Sequence, residues 1–236
     1  MATAARLHNP VDFDTIAELY DSVFPQHITE HYLQRRVSYI QRHAAGATAL
    51  DVGAGTGLLA ERLNELGIDV VALDPFPDML ARLLRRCPEI PVVVAPGNEM
   101  PLPNDHFDLT YSVAVMHHIA DPALVRRTLA EMVRVTRPGG RILVWDHNPL
   151  NPYWPYIMAR VPQDNGAERL LPMRELVVGL TDAGATIVRS EQLGLMPEFV
   201  PEHLMPLVRS IESGMERIPG IRRLCSHNVV LALKPE

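Results

Sequence analysis

Ala49-Leu50-Asp51-Val52-Gly53-Ala54-Gly55-Thr56-Gly57 is the stretch whose reading decides the fold. Leu50 and Val52 alternate with Asp51 as a short strand would, and glycines then follow at every second position before a helix opens near Leu58. A strand turning this tightly into a helix is built to let another molecule approach its backbone. Glycine permits positive φ and close contact, and the helix start beyond it offers unpaired N–H groups.

The spacing narrows the choice of ligand. A dinucleotide fingerprint, G-x-G-x-x-G, needs its third glycine where this chain has Leu58, and it has no use for a carboxylate at Asp51. The spacing here is G-x-G-x-G, and a carboxylate ahead of the turn suits a ligand with a positive group. Asp74, with Pro75 after it, closes the apolar run Val70-Val71-Ala72-Leu73 and can accept two ribose hydroxyls. Adenosine with a cationic tail and no pyrophosphate describes S-adenosyl-L-methionine.

Asp51 to Gly57, Asp74 and the later Pro138-Gly139-Gly140 together resemble the signature of class I S-adenosylmethionine-dependent methyltransferases, in the branch acting on small molecules. The resemblance covers roughly residues 30 to 233. It implies a doubly wound α/β fold with a seven-stranded, mostly parallel sheet of order 3-2-1-4-5-7-6 and an antiparallel seventh strand. It also implies that Gly53, Gly55 and Gly57 face the cofactor. Asn98, in Gly97-Asn98-Glu99-Met100-Pro101, stands where many relatives carry an aspartate that meets the adenine, and Glu99 and Met100 would cover the ring. The backbone around Ser112 and Val113 would contact the methionine portion, and Tyr20 of the Tyr20-Asp21 pair would line the same site, with a core tyrosine as the alternative.

Length and composition agree with one domain over 1–236. The chain has 236 residues, is 47% hydrophobic and carries a formal net charge of −6, enough apolar material for a sizeable core. Of its 22 basic residues only Lys234 is lysine, and the scattered Arg pairs form no basic run, so nucleic acid is not an expected partner. Cys87 and Cys225 have no metal-ligand spacing, the first residues lack an apolar leader core, and no stretch is apolar and long enough to span a bilayer. A cytoplasmic location and a monomer or homodimer are expected.

Alternating patterns predict strands over 47–52, 69–73, 91–95, 107–112, 141–145, 185–193 and 228–233. Helices are predicted over 58–66, 77–86, 122–135 and 172–183. Two cap helices, 11–21 and about 29–43, precede the sheet within residues 1–45; Ile16, Leu19 and Tyr20 mark one side of the first, which breaks at Pro25. The core sheet occupies 46–193 and 226–236. An insertion, 194–225, is rich in Met196, Met205, Met215 and other apolar residues, and reads equally as a lid beside the site or as an amphipathic helix, 201–214, packed on the sheet.

His27-Ile28-Thr29-Glu30-His31 matches a zinc-peptidase spacing, but it stands where the helix is only starting and has no third ligand; no metal site is expected. A base near neutral pKa would serve a hydroxyl acceptor, and His147, His118 and His117 are the candidates. His147 follows the fifth strand on the acceptor side, with wall or loop capping as its alternative; His117 and His118 read more as packing. Asp146 and His147 point oppositely on an extended segment, so Asp146 is not expected to orient His147. The Pro-rich segment after His147, with Tyr153, Trp154 and Tyr156, suggests part of an acceptor pocket.

The reaction expected is methyl transfer from S-adenosylmethionine, leaving S-adenosylhomocysteine, to an O, N or C atom of a small, apolar or aromatic metabolite, suited to bacterial secondary metabolism. A quinone-type C-methyltransferase is the nearest alternative. Rival functions are a methyltransferase-like protein using the bound cofactor for another reaction such as cyclisation, a non-catalytic cofactor-binding partner, and a nicotinamide oxidoreductase.

Overall fold

A computed structural model of the chain describes residues 11–44, 46–164, 166–195 and 197–236. Its centre is a seven-stranded sheet of order β3-β2-β1-β4-β5-β7-β6. The strands are β1 (Thr48–Val52), β2 (Asp69–Asp74), β3 (Val92–Val94), β4 (Phe107–Val113), β5 (Thr136–His147), β6 (Thr186–Leu193) and β7 (His227–Leu233). All pairs among β1 to β5 are parallel, and β7 runs antiparallel to both β5 and β6. The expected fold and strand order are therefore those of the molecule.

The helices are α1 (Ala17–Tyr20), α2 (Gln26–His43), α3 (Leu58–Glu65), α4 (Pro77–Arg86), α5 (Pro122–Val135), α6 (Trp154–Ile157), α7 (Met173–Asp182), α8 (Met205–Arg217) and α9 (Pro219–Arg222). Proline sets the first turn of α4 and α5, where its missing N–H costs nothing, and Asp121 caps α5 by accepting from the Ala123 N–H. The sheet buries both faces. Leu63, Leu83 and Ile40 belong to the core layer on one side, and Leu129, Met132 and Leu180 to that on the other. With strands covered on both faces, near-continuous apolar runs such as Leu143-Val144-Trp145 are what a parallel sheet requires.

Three expectations change. The first predicted helix is a 3₁₀ turn, Phe13–Ile16, followed by the single turn of α1, and Leu19 is 66% exposed while Ala17 is buried, so the inward side differs from the one expected. Pro25 does not break a helix; it caps α2, which begins at Gln26, three residues before the expected start, so the His27–His31 pattern fills that helix's opening turns. β5 begins at Thr136, five residues before Arg141, because the Pro138-Gly139-Gly140 turn is fastened to the end of β7 through Gly139 N–H to Lys234 O at 2.9 Å and Lys234 N–H to Gly140 O at 3.0 Å. That turn lies at the opposite end of the strand from the glycine turn after β1. Met196 of the insertion lies outside the described residues.

The insertion is neither purely lid nor purely packed on methionine. Helix α8 is tied to α2 by charge: Glu212, fully buried, accepts from His31 Nε2 at 3.0 Å and from Arg35 at 2.8 Å, and Arg35 also pairs with Glu216. Leu207 and Ile211 stay exposed. His27 Nε2 meets Val200 O at 2.8 Å, and Glu30 pairs with Arg62. The His27–His31 pattern is thus absorbed in holding the insertion against α2.

Candidate functional site

Beyond the carboxyl ends of β1, β4 and β5 lies a cavity of about 240 Å³. Such crevices are where ligands of doubly wound sheets bind. Its floor is the turn after β1. Gly53 and Gly55 both have positive φ, 76° and 56°, and a Cβ on Gly53 would come within 2.4 Å of Val115, so no other residue fits there without displacing β4's loop. Opposite, Ala114 holds φ 57°, a left-handed conformation rare for a residue with a side chain, with its N–H on Trp145 O at 2.8 Å.

Several sequence-predicted residues meet in this cavity: Tyr20, Asp51, Gly53, Gly55, Val113, His117, His118 and His147 all line it. Burial pushes the Asp51 carboxyl up to about 7, with Asp74 adding to the rise and Tyr111 and Arg36 pulling against it. Arg36 of α2 is the one cationic lysine or arginine among the described lining residues, its Nε has no hydrogen-bond partner, and burial depresses its pKa. Sequence reading missed Arg36. Only its place on the inward side of α2, three residues after Leu33 and one before Val37, could have signalled it.

Other predicted residues stand behind the wall. Asp74 accepts from Gly55 N–H at 2.8 Å and Phe76 N–H at 2.9 Å, so it shapes the turn, while retaining lone pairs for further donors. Gly57, φ 79°, packs against Leu83 at the start of α3. Ser112 is buried on the opposite side of β4 from Val113, as strand alternation demands. Pro75 is exposed. Asn98 and Glu99 lie on the loop after β3, half-buried and exposed, and Met100 is buried in the core with its N–H on Glu131 Oε2 at 2.8 Å.

The N-terminal segment closes one side. Phe13 packs on Phe76 at 5.3 Å and edge-on to His118 at 4.9 Å, Glu18 binds Arg82 and Arg85, and Asp21 accepts from Thr56 Oγ1 of the glycine turn at 2.5 Å.

Across the cavity stands a wall of imidazoles. His147 stacks on Trp154 at 3.6 Å and lies 4.0 Å from the His117 ring, which is 4.0 Å from His118. Burial drives His147, His118 and His227 well below the ordinary histidine pKa, the neighbouring imidazoles helping, so these rings are neutral. His117 differs. Burial works against its charge as well, but Asp146, whose Oδ1 meets His117 Nδ1 at 2.8 Å, outweighs it and raises the pKa. Asp146 also accepts from Met116 N–H at 2.7 Å and from the His147 backbone N–H at 2.7 Å. It therefore orients His117 and not the His147 ring, whose Nδ1 has no partner. The Asp146–His117 pair, 29 residues apart, had no local signal in the sequence.

The rest of the wall comes from the Pro-rich segment and the insertion. Trp154 Nε1 is held by Ser226 O at 2.6 Å, and Tyr153 Oη donates to Glu198, a cavity residue, at 2.6 Å. Asp164, whose carboxyl burial pushes up to about 6, completes this side beside Gln163. Among the described residues no helix is long and apolar enough to cross a membrane.

Known proteins resemble this chain in sequence and in fold. A family model described as a methyltransferase domain matches residues 50–144. A Mycobacterium tuberculosis protein named as an uncharacterized methyltransferase is 36% identical over 168 residues, 71% of this chain and 65% of the relative, so the match leaves about a third of that relative's length uncovered. The demethylmenaquinone methyltransferase of Renibacterium salmoninarum is 33% identical over 63% of this chain and 68% of its own length. In fold, the chain superposes on a Thermotoga maritima protein described as a SAM-dependent methyltransferase, possible histamine N-methyltransferase, with a TM-score of 0.68 over 94% of this chain and 97% of that one, at 16% identity. From strand order, glycine turn and these relatives alike, the chain belongs to the class I S-adenosylmethionine-dependent methyltransferases.

Proposed function

We propose that the chain binds S-adenosylmethionine across the glycine turn and transfers its methyl group to an O, N or C atom of a small apolar or aromatic acceptor held against the imidazole and tryptophan wall. The observation that carries this reading is the pair of opposite charges facing one cavity: Asp51 at the end of β1 and Arg36 on α2, the latter with a buried nitrogen lacking any partner. That pair matches an amino acid's ammonium and carboxylate, each of which would satisfy one buried group. Gly53 and Gly55 would admit the chain of the ligand close to backbone, and Asp74 would receive the ribose hydroxyls.

When bound, the cofactor supplies an activated methyl on a sulfonium; the protein has to align the acceptor and keep water out. The N-terminal segment and the insertion supply the cover, and Trp154, Ile157 and Tyr32 the apolar contact. Where the acceptor loses a proton, His147 is the receiving group: burial keeps it neutral and its Nδ1 is free. His117, held by Asp146, positions that wall. The relatives named for demethylmenaquinone favour a ring-carbon acceptor of quinone type, which the flat, aromatic wall would accommodate.

Calorimetric titration with S-adenosylhomocysteine, with NADH in parallel, tests the reading. Wild-type protein should bind the homocysteine product and not NADH, and Asp74→Ala should weaken that binding at least tenfold. Binding of NADH without S-adenosylhomocysteine would sink it.

A further inference from the structure

The acceptor side holds more polar groups than a stacking wall needs. His117 and His118 end the 3₁₀ turn after β4, and Asp164 comes from the loop following α6, a segment tied down by Arg169 N–H on His117 O at 2.8 Å. One ligating atom from each of these three side chains lies within 4.8 Å of the other two. Asp164 Oδ1 is buried and has no hydrogen-bond partner. A carboxylate oxygen stripped of water and left without a donor is costly unless a cation meets it.

We propose that His117, His118 and Asp164 bind a divalent first-row transition metal at the acceptor side of the cavity. The orientation of His117 favours this. Its Nδ1 is committed to Asp146, which turns Nε2 away from Asp146; a carboxylate behind a ligating imidazole is the usual support of such ligands. Phe13, edge-on to His118 at 4.9 Å, restrains the second ring. A second grouping, His117, Asp146 and His147, is as compact, but there Asp146 already accepts from three N–H groups, and binding would break the His117 contact.

Two imidazoles, His117 giving up its proton as the ion binds, and one carboxylate suit zinc, iron(II), cobalt(II) or manganese(II) rather than the all-oxygen preferences of magnesium or calcium. Metal–ligand bonds of about 2.1 Å place neighbouring ligand atoms roughly 3–3.5 Å apart, so small side-chain rotations would close the set. Three protein ligands leave positions open to the cavity. Resting on the methyltransferase reading for this step alone, a hydroxyl or carbonyl oxygen of the acceptor would take one, with the free Nδ1 of His147 in the same wall.

The test uses full-length protein stripped with chelator and titrated with Co²⁺, followed by visible d–d absorption, with S-adenosylhomocysteine binding measured on the same samples. Wild type should bind one Co²⁺ with the intense bands of a protein-ligated ion. Asp164→Asn and His118→Ala, each checked for native circular dichroism, should weaken it at least tenfold, while His203→Ala, on the exposed turn before α8, should not. Absence of the bands in wild type, or equal affinity in wild type and Asp164→Asn, overturns the metal site. The two readings fail separately: Co²⁺ binding lost with S-adenosylhomocysteine binding intact removes only the metal, and the reverse removes only the cofactor assignment.

Discussion

The two sides of the cavity are built differently. The glycine-turn side comes from one short stretch and its strand neighbours: Asp51 lies at the end of β1, Gly53 and Gly55 follow it, and Asp74 closes β2, its carboxylate on the Gly55 N–H. The imidazole side draws on the loop after β4, the end of β5, the Pro-rich segment, the insertion and the start of β7, with Asp146 and His117 joined across 29 residues. A side made by neighbouring strand ends is fixed by the sheet itself. A side made by loops can be rebuilt in another relative without touching the sheet, which is how one fold serves many acceptors.

Substitutions that strike one side alone should separate the two. The largest effect is expected at Arg36: Arg36→Gln removes the cation facing the Asp51 end of the cavity and should weaken S-adenosylhomocysteine binding by roughly 30- to 150-fold, as the loss of a charge-assisted contact of about 2–3 kcal/mol implies. Calorimetry reads this directly, and an unchanged affinity would remove Arg36 from the site.

On the other side, Asp146→Asn should lower unfolding free energy by about 2 kcal/mol while leaving S-adenosylhomocysteine affinity within roughly threefold, because it disturbs three buried N–H partners and none of the glycine turn. The loss should depend on pH. His117 has a raised pKa in the folded protein, so its pairing stabilises fully below the unfolded histidine value and fades as pH rises through the folded one. Urea unfolding at pH 6 and pH 9 should therefore show the larger difference between variant and wild type at pH 6.

Asp51 gives a smaller signature of the same sign, over a lower pH interval. Its pKa rises from 3.8 to about 7 on folding, so the folded state holds its proton more tightly and this group costs stability progressively as pH climbs through that interval. A ligand ammonium beside it favours the ionised form. Affinity for S-adenosylhomocysteine should rise several-fold from pH 6 to pH 8, with proton release measurable in buffers of different ionisation enthalpy, and Asp51→Asn should flatten both trends. The smallest effect belongs to Glu99→Ala, exposed and outside the cavity wall: less than a twofold change in affinity, where a tenfold loss would draw the loop after β3 into the site.

The same contrast explains what the sequence made legible. The strands, the bounds of α4 and α5 and the glycine turn rest on local periodicity, proline at helix starts and positive-φ glycines, all written within a few residues of where they act, whereas strand order followed from the family resemblance. Ser112 and Val113 show where this stops: both close β4, yet alternation turns only Val113 to the cavity. Arg36 looked like one of many surface arginines because its burial depends on how α2 lies over the sheet. His117 read as packing because the carboxylate that raises its pKa stands on the next strand. Glu212, likewise, is charged, buried and partnered only by residues of α2 and the start of the insertion, none of which its own helix predicts.

The central claim is that the glycine-turn side, with Arg36 of α2 facing it, holds the cofactor and the imidazole wall does not. Its most direct test is S-adenosylhomocysteine calorimetry on Asp51→Ala beside His147→Ala, both verified as folded. The account predicts a loss of at least tenfold for Asp51→Ala and less than threefold for His147→Ala; equal losses in both, or loss in His147→Ala alone, would contradict it.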